Sequence, residues 1–341
     1  MTERTIIHRF WERTRTHPGK VALRYRSGGA WKDVTWAQYG DKVRSVGRAL
    51  LAHGFQHSDR MGLLSGNRPE WFYADVACMS LGGCTAPIYG TNSPEQVAYI
   101  LGHSESKIAV VEDRDQLDKV LKMRSELPHL QKVVVMTSYE GDVEGDFVVG
   151  WDDFLAAGKE IDDARHDEAL SKVTPEDLAT FVYTSGTTGP PKAVMLTHAN
   201  IWWTADATER HIPMGEIDDA RLLSYLPLSH IAERMVSHLL QIYHGTQTWF
   251  AGSVDTLLDD LKECRPTTFF GVPRVWEKFY AGITGKMAAA DPNDRKVKLA
   301  KKAIEVGKRV GELEQEAVAR GGKMSDARVP LSLKLQHAAL D

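Results

Sequence analysis

The chain has 341 residues, with 42 Lys plus Arg against 46 Asp plus Glu, a formal charge of −4 and 43% apolar content. This balance excludes collagen-like, mucin-like, disordered and disulfide-knot classes, and leaves a globular protein long enough for about two domains or one large α/β unit. Nothing in the charge recommends a nucleic-acid binder. Cys78, Cys84 and Cys264 are too few and too irregularly spaced for a disulfide framework or a paired zinc motif, which fits a reducing compartment, the cytosol by default.

From the N-terminus, Ile6, Ile7, Phe10 and Trp11 recur at helical spacing among Arg4, Arg9, Arg13 and Arg15. The pattern suits either a membrane-surface anchor or a terminal helix packed on its own domain, the second being the default. No stretch approaches the ~18 apolar residues of a membrane-spanning helix, so any membrane contact is expected to be peripheral. Val21 to Arg26 and Trp31 to Thr35 flank Ser27, Gly28, Gly29 and Ala30, which predicts a hairpin.

Apolar runs at Met61 to Leu64, Ile108 to Val111, Val133 to Met136, Leu178 to Tyr183, Leu222 to Leu226, Thr248 to Phe250 and Thr267 to Phe270 read as strands. Helix starts lie between them. Thr35 with Gln38 and Ser93 with Gln96 fit capping boxes, and Pro94 takes the favoured first helical position. Strands alternating with helices predict largely parallel sheets covered on both faces. Acid-rich Gly141 to Glu176 reads as an exposed connection with one short helix around Phe154. His53 and His57 are spaced i, i+4, but Gly54 intervenes and no acid partner is evident, so no zinc site is expected there. From Asp291 and Pro292 an amphipathic helix of about 28 residues runs toward Gly321. Its lysines, from Lys296 to Lys308, are followed by glutamates on the same element, which reads as a solvated face. The final PLSLKLQHAALD stops inside another helical pattern without a cap or breaker, as a fragment would.

One segment stands apart. YTSGTTGPPKAV, Tyr183 to Val194, follows the strand candidate LATFVY and offers Thr184, Ser185, Thr187 and Thr188, Gly186 and Gly189, and Lys192 behind two prolines. Glycines let backbone amides turn toward an anion, hydroxyls bond phosphate oxygens or ligate Mg²⁺, and a lysine adds positive charge near the outer phosphates. The loop is not that of the P-loop NTPases, because Lys192 follows Gly189 by three residues and Ala193 stands where a hydroxyl would be needed.

This loop resembles, residue for residue, the phosphate-binding signature of the adenylate-forming (AMP-binding) superfamily, with Ala193 where most members carry glycine. Leu63 to Leu101, YLPLSHIAERM (Tyr225 to Met235) and FFGVPRVWEKF (Phe269 to Phe279) resemble the same superfamily. The last two, with the helical insertion after residue 286, look most like the long-chain and very-long-chain fatty acyl-CoA synthetases of the bubblegum type. The resemblance implies an α/β fold, the N-terminal domain of the adenylate-forming enzymes, with two subdomains of largely parallel sheets flanked by helices. The first would span roughly 55–200 and carry the phosphate loop at its end; the second would combine 1–54 with 201–341. The family pattern continues past residue 341, and no YGxTE segment, ribose-binding aspartate, hinge or C-terminal catalytic lysine is found. The chain is thus expected to be an incomplete adenylation domain, cut before its β-barrel is complete and before the small C-terminal domain, and inactive alone.

In the implied reaction a fatty carboxylate attacks the α-phosphorus of Mg·ATP and expels pyrophosphate, and the thiol of coenzyme A then displaces AMP. The resemblance gives Thr184, Ser185, Gly186, Thr187, Thr188, Gly189 and Lys192 the β and γ phosphates, Lys192 and His230 catalytic roles, and Ser185 or Thr184 a Mg²⁺ contact. It sets His230 beside the α-phosphate and the acyl carboxylate, as hydrogen-bond donor or gate of the acyl channel. Gly271, Val272, Pro273 and Trp276 would line that channel, Trp276 alternatively being core, while Trp202 and Trp203 read as core. The competing functions are another adenylate-forming ligase, acting on an aryl or shorter acid or serving a carrier protein, and a nucleotide-binding module without turnover.

Overall fold

A computed structural model describes residues 5–137, 145–184, 190–211, 214, 217, 219–253, 256–291 and 294–321. It divides into two compact units, residues 1–270 and 271–341. In the first unit the strands are β1 (Val21–Ser27), β2 (Ala30–Thr35), β3 (Arg60–Leu64), β4 (Cys84–Ile88), β5 (Ile108–Val111), β6 (Lys132–Val135), β7 (Val148–Gly150), β8 (Leu178–Thr184), β9 (Lys192–Thr197), β10 (Arg221–Ser224) and β11 (Gln247–Phe250). They form a seven-stranded sheet, β7-β6-β5-β3-β4-β8-β9, and a four-stranded sheet, β10-β11-β1-β2. All pairings are parallel except β8–β9 and the β1–β2 hairpin.

The apolar runs become strands because both faces of the large sheet are covered. Met61, Leu63, Ile108, Val110 and Val134 point into one core with Phe10, Trp36, Tyr39, Trp71 and Phe72. Their neighbours Leu64, Ala109, Val111, Val133 and Val135 point into a second core with Val97, Leu101, Leu117 and Val120. Successive side chains thus divide between the two cores, as the period of two requires.

Local signals hold at both expected capping boxes: Thr35 caps the helix Trp36–Ala52 and Ser93 caps Pro94–His103. The N-terminal helix Ile6–Thr16 buries Ile6, Ile7, Phe10 and Trp11 in the first core, so those residues do not form a surface anchor. None of the described helices is long and apolar enough to cross a membrane. All three cysteines are free and buried.

Three expectations are corrected. Thr267 to Phe270 is irregular: Thr267 donates its N–H to Arg221 O at 3.0 Å, and Tyr225 takes over from a ladder by stacking on Phe269 (5.3 Å) and donating its hydroxyl to Phe270 O (3.0 Å). The acid-rich segment holds β7 and two α-helices, Trp151–Ala157 and Asp163–Ser171. His166 of the second is fully buried, and a Cβ at Gly47 would come within 2.7 Å of its ring, so glycine permits this close approach. Arg44–Asp167 and Arg48–Asp163 pairs, at 2.7 and 2.9 Å, join the same two helices. Trp203 is 72% exposed rather than core, whereas partly buried Trp202 packs edge-on against Tyr243.

The second unit contains the helices Pro273–Ala289 and Arg295–Ala319, the latter capped by Asp294. The long helix forms over 25 residues, with Asp294 rather than Asp291 at its N-cap. Arg4, Pro292 and the final PLSLKLQHAALD lie outside the described residues.

Candidate active site

β8 and β9 are the two legs of the YTSGTTGPPK segment. They run antiparallel, with Thr184 directly opposite Lys192 and Tyr183 opposite Ala193. The intervening Ser185, Gly186, Thr187, Thr188 and Gly189 lie outside the described residues. A cavity of about 620 Å³ opens beside the legs, lined by Val182, Tyr183, Thr184 and Pro191 from them, by Pro87, Tyr89, Tyr99 and Ile100, and by His230 and Ile231. Two motifs 46 residues apart, at Thr184 and His230, therefore line one cavity. Lys192 follows Pro191 at the exposed start of β9.

His230 is exposed and sits at the N-cap of Ile231–Arg234, its Nδ1 accepting the Ala232 N–H at 3.2 Å. An Nδ1 that accepts is unprotonated, so the neutral ring carries its proton on Nε2 and can donate it to an oxyanion. A hydroxyl, an imidazole N–H and a nearby ammonium are the donor chemistry that suits polyphosphate oxygens.

Behind His230 the chain makes a π-helical turn, Met235–Leu239, a distortion of the kind that recurs at functional sites. The polar residues around it are buried. Arg234 donates to Asp75 Oδ1 at 2.6 Å and Thr85 Oγ1 at 2.9 Å, and also to Thr180 Oγ1. His238 Nε2 lies 2.9 Å from Asp75 Oδ2. Burial alone would raise the Asp75 carboxyl, but the Arg234 charge and the His238 contact outweigh it and hold it below the usual carboxylate range. Thr180 lies on β8 four residues before Thr184, so the network ties the His230 segment to the strand that leads into the loop.

A second tie runs through Asn67, whose Nδ2 donates to Ser224 Oγ (2.9 Å) and Leu226 O (2.7 Å) and whose Oδ1 accepts from Leu228 N (3.3 Å). Glu233 Oε1 accepts from Ser224 Oγ, Tyr225 N and Ser237 Oγ at 2.8, 3.2 and 2.7 Å. Burial pushes its carboxyl up to about 7 against these bonds. These supporting residues were missed in the sequence, although Asp75, Glu233 and Arg234 interrupt apolar helical runs, the signal that marks buried charge.

Gly271, Val272, Pro273 and Trp276 belong to the second unit, where Trp276 donates its Nε1 proton to Gly271 O at 2.8 Å and remains 50% exposed. His57 does have an acid partner, Asp177 at 3.0 Å, but no group of His, Cys, Asp or Glu among the described residues could hold a metal ion.

The family model of the AMP-binding enzymes matches residues 10–327. The chain belongs to that family, and its α/β fold is that of the N-terminal domain of adenylate-forming enzymes. It is 37% identical over 298 residues to the long-chain-fatty-acid–CoA ligase ACSBG2 of Xenopus laevis, covering 86% of this chain and 40% of that one. Against the long-chain-fatty-acid–CoA ligase ACSBG1 of Homo sapiens the values are 33% over 284 residues, 82% and 39%. The chain thus spans about two fifths of the length of these relatives. Among solved structures, the anthranilate CoA ligase AuaEII in complex with anthranoyl-AMP superposes with a TM-score of 0.68 at 20% identity, over 81% of this chain and 51% of that one. The N-terminal domain of FACL13 from Mycobacterium tuberculosis gives 0.64 at 22%, over 80% and 64%.

Proposed function

We propose that this chain carries the adenylation half-site of a long-chain fatty acid–CoA ligase, which condenses a fatty acid with ATP to an acyl adenylate and passes the acyl group to coenzyme A. The observation that carries the reading is the one cavity that Thr184, Pro191 and His230 all line. The names of the similar ligases support the substrate class.

A fatty carboxylate is ionised at pH 7 and needs no general base. The site's task is positioning and charge neutralisation. Lys192 and residues 184–189 would hold the β and γ phosphates until pyrophosphate leaves. The Nε2–H of His230 would donate to the α-phosphate or the acyl carboxylate as negative charge concentrates between them. Bound Mg²⁺ would neutralise phosphate charge, with Thr184 and Ser185 as its proposed contacts. Gly271, Val272, Pro273 and Trp276 would line the acyl channel. The subdomain division, 55–200 against 1–54 with 201–341, is part of the same proposal; β3 to β9 form one sheet, and β1, β2, β10 and β11 the other. A cytosolic location accords with three unpaired, buried thiols.

The test is ATP–pyrophosphate exchange by the enzyme that carries this chain, screened over fatty acids of increasing length and over aryl acids. Exchange dependent on long-chain fatty acids is expected. Exchange dependent on aryl acids alone would refute the substrate class.

A further inference from the structure

We propose that the helix Pro94–His103 is a brace for the two legs of the phosphate loop, Tyr99 gripping the leg that starts β9 and His103 the leg that ends β8. The proposal rests on reading 184–192 as the phosphate loop, and adds the residues that position it.

The helix is itself well anchored. Its N-terminus carries the Ser93–Gln96 capping box and Pro94, while Val97, Ile100 and Leu101 are buried in the second core. Tyr99 and His103 are spaced i, i+4 and so share a face, their rings stacked at 5.4 Å and 25°. From that face Tyr99 donates its hydroxyl proton to Pro191 O at 2.9 Å. Pro191 has no N–H, so its carbonyl is the only main-chain group through which a hydrogen bond can fix it. On the other leg, the Tyr183 hydroxyl lies 3.0 Å from His103 Nδ1 and 3.4 Å from Ile100 O. Tyr183 directly precedes Thr184, and Pro191 directly precedes Lys192. The brace therefore acts one residue away from each end of the register pair Thr184–Lys192, where a small displacement of either leg would move the loop's donors relative to His230. Phosphate contacts depend on such preorganisation, since a site must be held within about 0.5 Å of its working geometry.

The test uses Tyr99→Phe and His103→Phe, which keep the stacked rings and remove only the polar contact, with Lys192→Ala as the control for the loop reading. Two measurements are made on the enzyme that carries this chain: amide hydrogen exchange at residues 182–184 and 192–195, and titration with Mg·ATP. The brace predicts faster exchange at both legs, unchanged exchange in β5, melting within a few degrees of wild type, and Mg·ATP affinity about 5-fold weaker, the loss of one ordinary hydrogen bond. Leg amides that exchange as in wild type, with affinity within twofold, would overturn the brace while a loss of binding in Lys192→Ala still upheld the loop. Wild-type Mg·ATP affinity in Lys192→Ala would instead overturn the loop reading, and the brace's purpose with it.

Discussion

Arg234 and Asp75 meet at 2.6 Å with side chains 1% and 0% exposed, joining the segment that carries His230 to a helix on the large sheet. Thr85 and Thr180 complete the cage on β4 and β8. A buried pair costs much to desolvate and yields little net stability, but removing one partner strands a charge. Asp75→Asn is expected to destabilise the fold by about 3–5 kcal/mol, and Arg234→Met by a similar amount. Replacing both with apolar residues should recover a large part of that loss. Denaturant unfolding of the two single variants and the double variant measures it; additive losses would show that the pair is not the coupled unit described.

Lys192→Ala, in the enzyme carrying this chain, should remove a charge-assisted phosphate contact of about 1.5–3 kcal/mol and slow adenylation roughly 10- to 150-fold. The side chain stands exposed at the start of β9, so the melting temperature should hardly change. Wild-type adenylation kinetics in this variant would remove the lysine from the site.

His230→Ala should lower the rate at saturating fatty acid and leave the ATP dissociation constant within a few fold, because its proposed role is at the reacting groups rather than at the adenine. Unchanged turnover with a large loss of ATP binding would show the opposite division of labour.

Glu233 ties stability to pH. Its carboxyl is pushed up to about 7 in the fold by burial, while an unfolded glutamate ionises near 4.3. Between those values the native state holds the proton that the unfolded state has lost, so this group's contribution is full below about pH 4.3, falls as pH rises, and levels off above 7. The span corresponds to about 4 kcal/mol. Buried His166 and His198, pushed down to about 4, act in the opposite direction between about 4 and 6.5. The diagnostic is therefore the difference between wild type and Glu233→Gln: stability curves from pH 5 to 8 should converge in shape above 7 and diverge below it. Parallel curves throughout would place the Glu233 ionisation outside this range.

The parts of the fold that depend on local chemistry were legible in the sequence. The Thr35 and Ser93 caps, the hairpin glycines and the apolar runs of β3, β5 and β6 each carry their own signal, and the loop motif located both legs of the site. Burial decided by distant partners left weaker traces. Asp163–Ser171 is polar along most of its length, and its packing on Trp36–Ala52 rests on His166 meeting Gly47. Thr267 to Phe270 has the composition of a strand, yet Tyr225 engages it through ring and hydroxyl. The brace was hidden for the same reason: Tyr99 and Pro191 are 92 residues apart.

The loop legs and His230 are proposed to form one adenylation site. Fatty-acid-dependent ATP–pyrophosphate exchange tests it most directly, measured on the enzyme carrying this chain beside its Lys192→Ala and His230→Ala variants. Exchange is expected to require a long-chain fatty acid and Mg²⁺ and to fall at least tenfold in both variants. Exchange that proceeds unchanged in both, or none with any fatty acid in the wild type, would contradict it.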